Sequence, residues 1–336
     1  MSNPLALAVN VADYLLTKKL KHLILHVTGK CNFRCDHCFV DFGNKKRDLP
    51  LSSFQELSNE TPKLFWLDIA GGEPFLRKDL YEIVSLFDSN IVHIPTNGSL
   101  IPEMIEQINK IKSQVNSELI IGLSLDGLES THDKIRNTPG SYNQVWDAFN
   151  ELKKMDVSVK VTTVLNKDNF NEIPQLMDEV YSHGVDFHSI ILLRGEPLDP
   201  NMCLPSLKEL RKFEPFLFDK LKRYNYNKDY LSARLLRNFH KYLWDISLKT
   251  LEKETQIIPC LAGKTQLTID SDGSVSSCEM LPSVGNLHNK SLNEIRSSKE
   301  FIQQLKDIED KKCFCTHNCA MLDSIFFDPK NLKHLL

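Results

Sequence analysis

Three cysteines within eight residues, Cys31-Asn-Phe-Arg-Cys35-Asp-His-Cys38, are the sharpest chemical feature of this sequence. Thiolates at this spacing can wrap one small metal centre. A structural zinc site is normally closed by four protein ligands. Three thiolates on a 4Fe–4S cube instead leave one iron open to another molecule, which a catalytic cluster requires. A second group, Cys260, Cys278, Cys313, Cys315 and Cys319, lies towards the other end of the chain, and Cys203 stands alone between them. Nine cysteines, mostly clustered and with no secretory signal, read as metal ligation in a reducing compartment and not as a disulfide framework.

The elements that must position the first group alternate. Short β-rich runs at Leu23–Thr28, Phe65–Ala70, Ile91–Pro95, Leu119–Leu125, Val157–Val164 and Phe187–Leu193 are separated by helix-period stretches such as Lys78–Phe87, Pro102–Ile111, Tyr142–Met155 and Asn171–His183. Six β-then-α units predict a parallel sheet with right-handed crossovers. Six strands are too few for a closed eight-stranded barrel, so the expected fold is α/β: a partial (β/α)6 TIM-like barrel with its chemistry at the carboxyl ends of the strands. A small C-terminal α+β cluster-binding domain follows. The boundaries read as an amphipathic helix at 1–21, the barrel at 22–203, a helical and locally basic bridge at 204–258, the second cysteine domain at 259–325 and a tail at 326–336. Within 259–325 the run Thr265 to Cys278 predicts a hairpin turning at Asp270-Ser-Asp-Gly273, and a helix is expected over Leu292–Ile308.

Several short motifs fall where strands should end. Gly71-Gly72-Glu73-Pro74 follows the second, and paired glycines let backbone approach a ligand closely. Thr96-Asn97-Gly98 ends the third, Ser124-Leu125-Asp126-Gly127 the fourth, and Asn166 follows the fifth. His132-Asp133-Lys134-Ile135-Arg136-Asn137 with Gly140-Ser141-Tyr142 comes next along the chain after SLDG. Asn137 stands where a left-handed turn is expected, a conformation asparagine tolerates.

Together these motifs resemble the radical S-adenosylmethionine family, whose signature is CxxxCxxC in the loop after the first strand. The resemblance covers nearly all of residues 22–325. It implies a 4Fe–4S cluster on Cys31, Cys35 and Cys38, with the open iron chelated by S-adenosylmethionine. One-electron cleavage then gives a 5′-deoxyadenosyl radical that abstracts a hydrogen atom from substrate. It further implies that Gly71, Gly72, Glu73 and Pro74 bind the methionine amino group, that Ser124 and Arg136 contact its carboxylate, and that Asn97, Asp126 and Asn166 line the cofactor pocket. His37 is expected to pack near the adenine.

The stretch from Cys260 through Gly273 to Cys278 resembles the opening of the SPASM and twitch domains of this family, which hold auxiliary 4Fe–4S clusters. A full SPASM domain uses seven cysteines for two clusters, whereas this region has five. One auxiliary cluster is therefore expected, on Cys260, Cys278 and Cys319 with Cys315 or Cys313 as the fourth ligand. His317 is an alternative ligand, an open iron a further alternative, and zinc the competing metal. Its implied work is to accept an electron or to position the substrate.

Composition adds exclusions. A formal charge of −3 gives no global reason to expect nucleic-acid binding. No apolar run spans a bilayer, and Met1 to Asn10 lacks a signal-peptide pattern, so the expected compartment is the cytoplasm. The amphipathic stretch Leu5–Leu20 reads as a helix packed on the enzyme body, with peripheral membrane contact as the alternative. Cys203, in the loop after the sixth strand, is a candidate hydrogen-atom donor against the plainer reading of a small loop hydrophobe. Arg194, Glu196 and Asp199 are candidate substrate contacts. The expected partners are a peptide or small-molecule substrate and an electron donor such as flavodoxin or ferredoxin. Sugar or lipid dehydrogenation or epimerisation is an alternative within the family. A two-cluster electron-transfer protein and a zinc-stabilised binding module are the non-enzyme alternatives.

Overall fold

The computed structural model describes residues 4–40, 47–224, 226 and 228–335. Six parallel strands, β1 (His22–His26), β2 (Leu64–Ala70), β3 (Ser89–Thr96), β4 (Glu118–Ser124), β5 (Ser158–Leu165) and β6 (Phe187–Leu192), lie side by side in chain order. The helices of the barrel are α1 (Pro4–Thr17), α2 (Leu51–Glu60), α3 (Leu80–Ser85), α4 (Ile101–Gln114), α5 (Glu129–Arg136), α6 (Ser141–Leu152) and α7 (Ile173–Ser182). Each strand alternates between two environments, as its period of two requires. Leu23 and Leu25, Leu67 and Ile69, and Val159 and Val161 face the helices and join the main core. His22 and Ile24, Trp66 and Asp68, and Lys160 and Thr162 line the inside.

The strands match the sequence reading within a residue or two. The sheet as a whole extends further than expected. The C-terminal hairpin, β7 (Gln266–Ile269) and β8 (Ser274–Ser276), does not form a separate body: β7 pairs in parallel with β1, and β9 (Gly285–Asn286) follows β8. The result is one open nine-stranded sheet, ordered β6-β5-β4-β3-β2-β1-β7-β8-β9. Gly273 turns the hairpin with φ 82°, and its N–H donates to Asp270 O.

The bridge is helical as expected: α8 (Leu207–Leu221), opened by a Ser206–Glu209 capping box, and α9 (Tyr230–Lys253), capped by Asp229. Part of its basic charge is answered by carboxylates, with Arg211 near Glu214 and Asp245 and Arg223 on Asp178. The helix expected over Leu292–Ile308 is two, α10 (Leu292–Arg296) and α11 (Lys299–Glu309), because Ser298 caps a second start. The chain ends in α12 (Asn318–Phe326) and α13 (Pro329–Leu332). Leu7, Val11 and Tyr14 of α1 pack with Phe239 and Leu243 of α9 and Ile325 and Phe326 of α12 in a second core, so α1 sits on the folded body. No helix among the described residues is long and apolar enough to cross a membrane.

Candidate active site at the barrel mouth

The CxxxCxxC loop leaves β1 at the carboxyl edge of the sheet and is tied down from three sides. Gly72 N and Glu73 N donate to Thr28 O and Lys30 O, both at 2.8 Å, and Asp36 N donates to Ile135 O at 2.8 Å. Asn137 Nδ2 donates to Arg34 O at 2.8 Å, from the left-handed conformation (φ 51°) that ends α5. The loop after β6 adds Leu198 N to Cys38 O and Asp199 N to Asp36 O, both at 2.9 Å. Cys35 is buried and Cys31 and Cys38 half-buried. Burial pushes all three thiols up, Cys35 to about 11, so an arriving metal must displace their protons. Phe33 N reaches Cys31 Sγ at 3.4 Å and Arg136 Nη1 reaches Cys35 Sγ at 3.7 Å.

The paired glycines are required by the backbone. A Cβ on Gly72 would lie 2.1 Å from Lys30 O, and one on Gly71, at φ 128°, would lie 2.4 Å from Thr28 O. Glu73 is fully enclosed. Its carboxylate accepts from Thr96 Oγ1 and Asn97 N, each at 2.8 Å, and from Phe75 N at 3.3 Å. Burial raises its pKa to about 7 against these donors. Asn97 Nδ2 donates to Asn32 Oδ1 at 2.9 Å, closing a circuit from the second loop through the third to the cysteine loop. Pro74 opens a short 3-10 turn capped by Glu73.

Across the mouth, Arg136 Nε donates to Asp126 Oδ2 at 2.6 Å, and Asp126 Oδ1 accepts from Val164 N at 2.8 Å. Although burial opposes ionisation, Arg136 holds the Asp126 carboxyl below its usual range. His37 lies 3.8 Å from Asp126 Oδ2 and is driven to about 4 by burial, so its ring is neutral. Ser124 lines the cavity beneath. Asn166 is fully buried, and its side chain is spent on its own turn, accepting from Asp168 N and donating to Val164 O. Cys203 is exposed and lines neither the barrel cavity nor the smaller cavity over the mouth; its carbonyl accepts from Lys167 N at 2.8 Å.

The second thiol set divides. Cys260, Cys278 and Cys313 belong to one apolar cluster, Cys260, Cys313 and Cys315 line one small cavity, and burial pushes the Cys260 thiol up to about 12. Gln256 joins two of these segments, donating to Cys313 O at 3.0 Å and accepting from Cys260 N at 3.2 Å. Cys319, on the first turn of α12, turns away into the barrel, where its Sγ lies 3.7 Å from Asp68 Oδ2. His317 stands between, with Nδ1 3.7 Å from Cys278 Sγ and Nε2 on Glu279. Glu279 also meets His26 of β1 at 2.8 Å. Ligand atoms of Glu279, His317 and Cys319 all lie within 4.8 Å of one another.

Below the mouth the barrel encloses a cavity of about 370 Å³. Asp68 is its electrostatic centre, meeting His22 Nε2 at 2.9 Å and His93 Nδ1 at 2.5 Å. His22 also meets Asp323 at 3.0 Å and is lifted to about 10, the two carboxylates outweighing its burial. This inward ladder of His22, Asp68, His93 and Lys160 was not singled out from the sequence. The available signal was charged or imidazole side chains at alternate positions of otherwise apolar strands.

Comparisons with known proteins agree with this fold. The profile of the Radical SAM superfamily matches residues 25–180, and that of an iron–sulfur cluster-binding domain, SPASM, matches residues 260–320. An AdoMet-dependent heme synthase of Methanosarcina barkeri is 27% identical, over 89% of this chain and 88% of its own. A cysteine-type anaerobic sulfatase-maturating enzyme of Clostridium novyi is 26% identical, over 90% and 88%. Among solved structures, anSMEcpe with bound AdoMet and Kp18Cys peptide superimposes with a TM-score of 0.62 at 20% identity, covering 86% of this chain and 83% of that one. Streptococcus suis SuiB bound to precursor peptide SuiA gives 0.62 at 16% identity, over 89% and 70%.

Proposed function

We propose, from the premise that this chain belongs to the Radical SAM superfamily and carries a SPASM-type iron–sulfur domain, that it cleaves S-adenosylmethionine reductively at the barrel mouth and removes a hydrogen atom from an organic substrate held in the barrel. Membership makes it an enzyme whose cofactors are 4Fe–4S clusters and S-adenosylmethionine.

The residues at the mouth fit such a cluster. Cys31, Cys35 and Cys38 share one clamped loop, with Cys35 buried and the other two half-buried. The second site fits as well, with Cys260, Cys278, Cys313 and Cys315 as the favoured ligands and Cys319 set apart. When bound, the mouth cluster supplies the electron that breaks S-adenosylmethionine, and the auxiliary one a second redox-active or substrate-positioning centre.

The chain's own residues have separable tasks in this reading. Gly71 and Gly72 let the second loop support the cysteine loop. Glu73 and Asn97 brace the rim where the methionine amino group would sit. Asp126 fixes the Arg136 fork, leaving its far edge towards Cys35 and the incoming carboxylate. Ser124 offers a hydroxyl from the cavity wall, and neutral His37 an apolar face. The cavity suits a small metabolite or one residue of a peptide, in keeping with relatives that synthesise heme or mature a protein. A low-potential donor such as flavodoxin or ferredoxin completes the system.

The observation that carries this reading is the convergence of the cysteine loop, the Glu73–Asn97 rim and the Asp126–Arg136 pair on one end of one barrel. The test is anaerobic reconstitution followed by reduction with dithionite in the presence of S-adenosylmethionine. Wild type should release 5′-deoxyadenosine and Cys31→Ala should not. Equal yields from the two, or none from wild type, would sink the proposal.

A further inference from the structure

The barrel cavity contains a cation that its walls leave without a counter-ion. Lys160 points inward from the middle of β5, and no carboxylate lies within ion-pair distance of its ammonium among the described residues. Arg194, towards the mouth, likewise has no ion pair among the described residues and lies over the Phe39 ring at 5.2 Å; the remaining cations of the cavity are answered. His22 faces Asp68 and Asp323, Arg136 faces Asp126, and Lys228 meets Glu118 at 2.6 Å. Lys160 is half-buried, and Asp68 acts on it from a distance without pairing with it, so its ammonium is left to water or to an arriving anion.

Beside it stands a second unfinished group. His93 is buried and gives Nδ1 to Asp68 Oδ1 at 2.5 Å, while its Nε2 has no partner. With the proton on Nδ1, Nε2 is a buried, unsatisfied acceptor in the cavity wall, which a ligand donor reaches by a small shift of the ring. Gly122 lies between the two. A Cβ there would sit 2.6 Å from His93 Nε2 and 3.3 Å from Lys160 Cε, so the glycine keeps open the space in which both groups meet. In the register of the sheet Lys160 pairs with Gly122, and Thr162 with Ser124 at the mouth. Lys160 is thus about 7 Å deeper than the mouth layer, two residues of strand rise.

We propose that Lys160 and His93 form the substrate's anchoring site, which takes an anionic group, carboxylate or phosphate, on the Lys160 ammonium and a neighbouring hydroxyl or amine on His93 Nε2. The substrate class is therefore a small hydroxy acid, amino acid or hydroxylated phosphate ester, free or as the end of a larger molecule. The hydrogen removed lies only a few bonds from the anchored anion. The proposal rests on the radical reading of the mouth, since that is what the anchored group faces.

The test needs no turnover. Thermal unfolding of the reconstituted holoenzyme is followed at matched ionic strength with lactate, propionate, lactamide, glycerol 3-phosphate or chloride. Lactate or glycerol 3-phosphate should raise the melting temperature saturably, propionate about tenfold less tightly than lactate, and lactamide not at all. The lactate and glycerol phosphate arms separate carboxylate from phosphate recognition. Lys160→Met should abolish the response while melting higher than wild type without ligand, because a charge without an ion pair has left the cavity wall. Gly122→Ala should abolish it with the Lys160 ammonium and the His93 ring both in place. The proposal is overturned if Lys160→Met responds like wild type or melts lower without ligand, or if no probe exceeds chloride. A failed radical reading would show separately, as absent 5′-deoxyadenosine from wild type.

Discussion

The two cysteine sets solve the same problem at different ranges. The first is local: three thiols on one loop, bracketed by hydrogen bonds from the loops after β2, α5 and β6. The second draws on the approach to β7, the end of the hairpin and the segment before α12, which meet only because β7 pairs with β1 and Gln256 joins Cys260 to Cys313. A loop that carries its own spacing can be recognised in a linear chain. A site built from distant segments belongs to the fold, and residues that look equivalent in sequence can have different fates. Cys315 and Cys319 are four positions apart, yet one lines a small cavity with Cys260 and Cys313 and the other faces Asp68 in the barrel.

The comparison can be broken most sharply by removing one thiol from each set. Cys35→Ala should lose one cluster's iron and reduce 5′-deoxyadenosine to background, whereas Cys315→Ala should lose the other cluster's iron and still cleave S-adenosylmethionine. Iron assays and chromatography of the nucleoside would show it, and matching losses of cleavage would erase the distinction. A smaller effect is expected from the support of the first loop. Gly72→Ala forces a Cβ to 2.1 Å from Lys30 O and should cost about 3 kcal/mol in denaturant unfolding; an unchanged midpoint would mean the loops are not in contact.

Glu73 gives a pH signature confined to the first region. Its folded pKa, raised by burial to about 7 from 4.5, means that the folded state holds a proton the unfolded state has released. Stability should therefore fall as pH rises from about 4.5 to 7, by a component of order 3 kcal/mol. Glu73→Gln should lack that component, so its stability relative to wild type should improve across the same window; parallel profiles would contradict the burial argument. The smallest effect sharpens the second region: Cys319→Ser should leave iron content unchanged, and a loss equal to that of Cys315→Ala would return Cys319 to the ligand set.

Much of the fold was legible because its signals are periodic. Leu23 and Leu25 against His22 and Ile24, or Val159 and Val161 against Lys160 and Thr162, announce strands with two different faces. The left-handed turn at Asn137 and the hairpin turn at Gly273 were legible because few residues tolerate those backbones. The break between α10 and α11 was missed because the apolar pattern runs through it and only the Ser298 cap marks the second start. The α5 helix carrying Arg136 was noticed only as a motif.

The sequence by itself determined the barrel, the three-thiol loop and the positions of the loops that face it, because each is encoded within a few consecutive residues. Only the tertiary structure decided that the second domain's hairpin joins the barrel sheet, that Cys319 leaves its neighbours for the barrel, and that Asp68, His93 and Lys160 share one cavity. Those residues come from separate strands and a distant helix, and their meeting depends on sheet register and closure, which no single segment specifies.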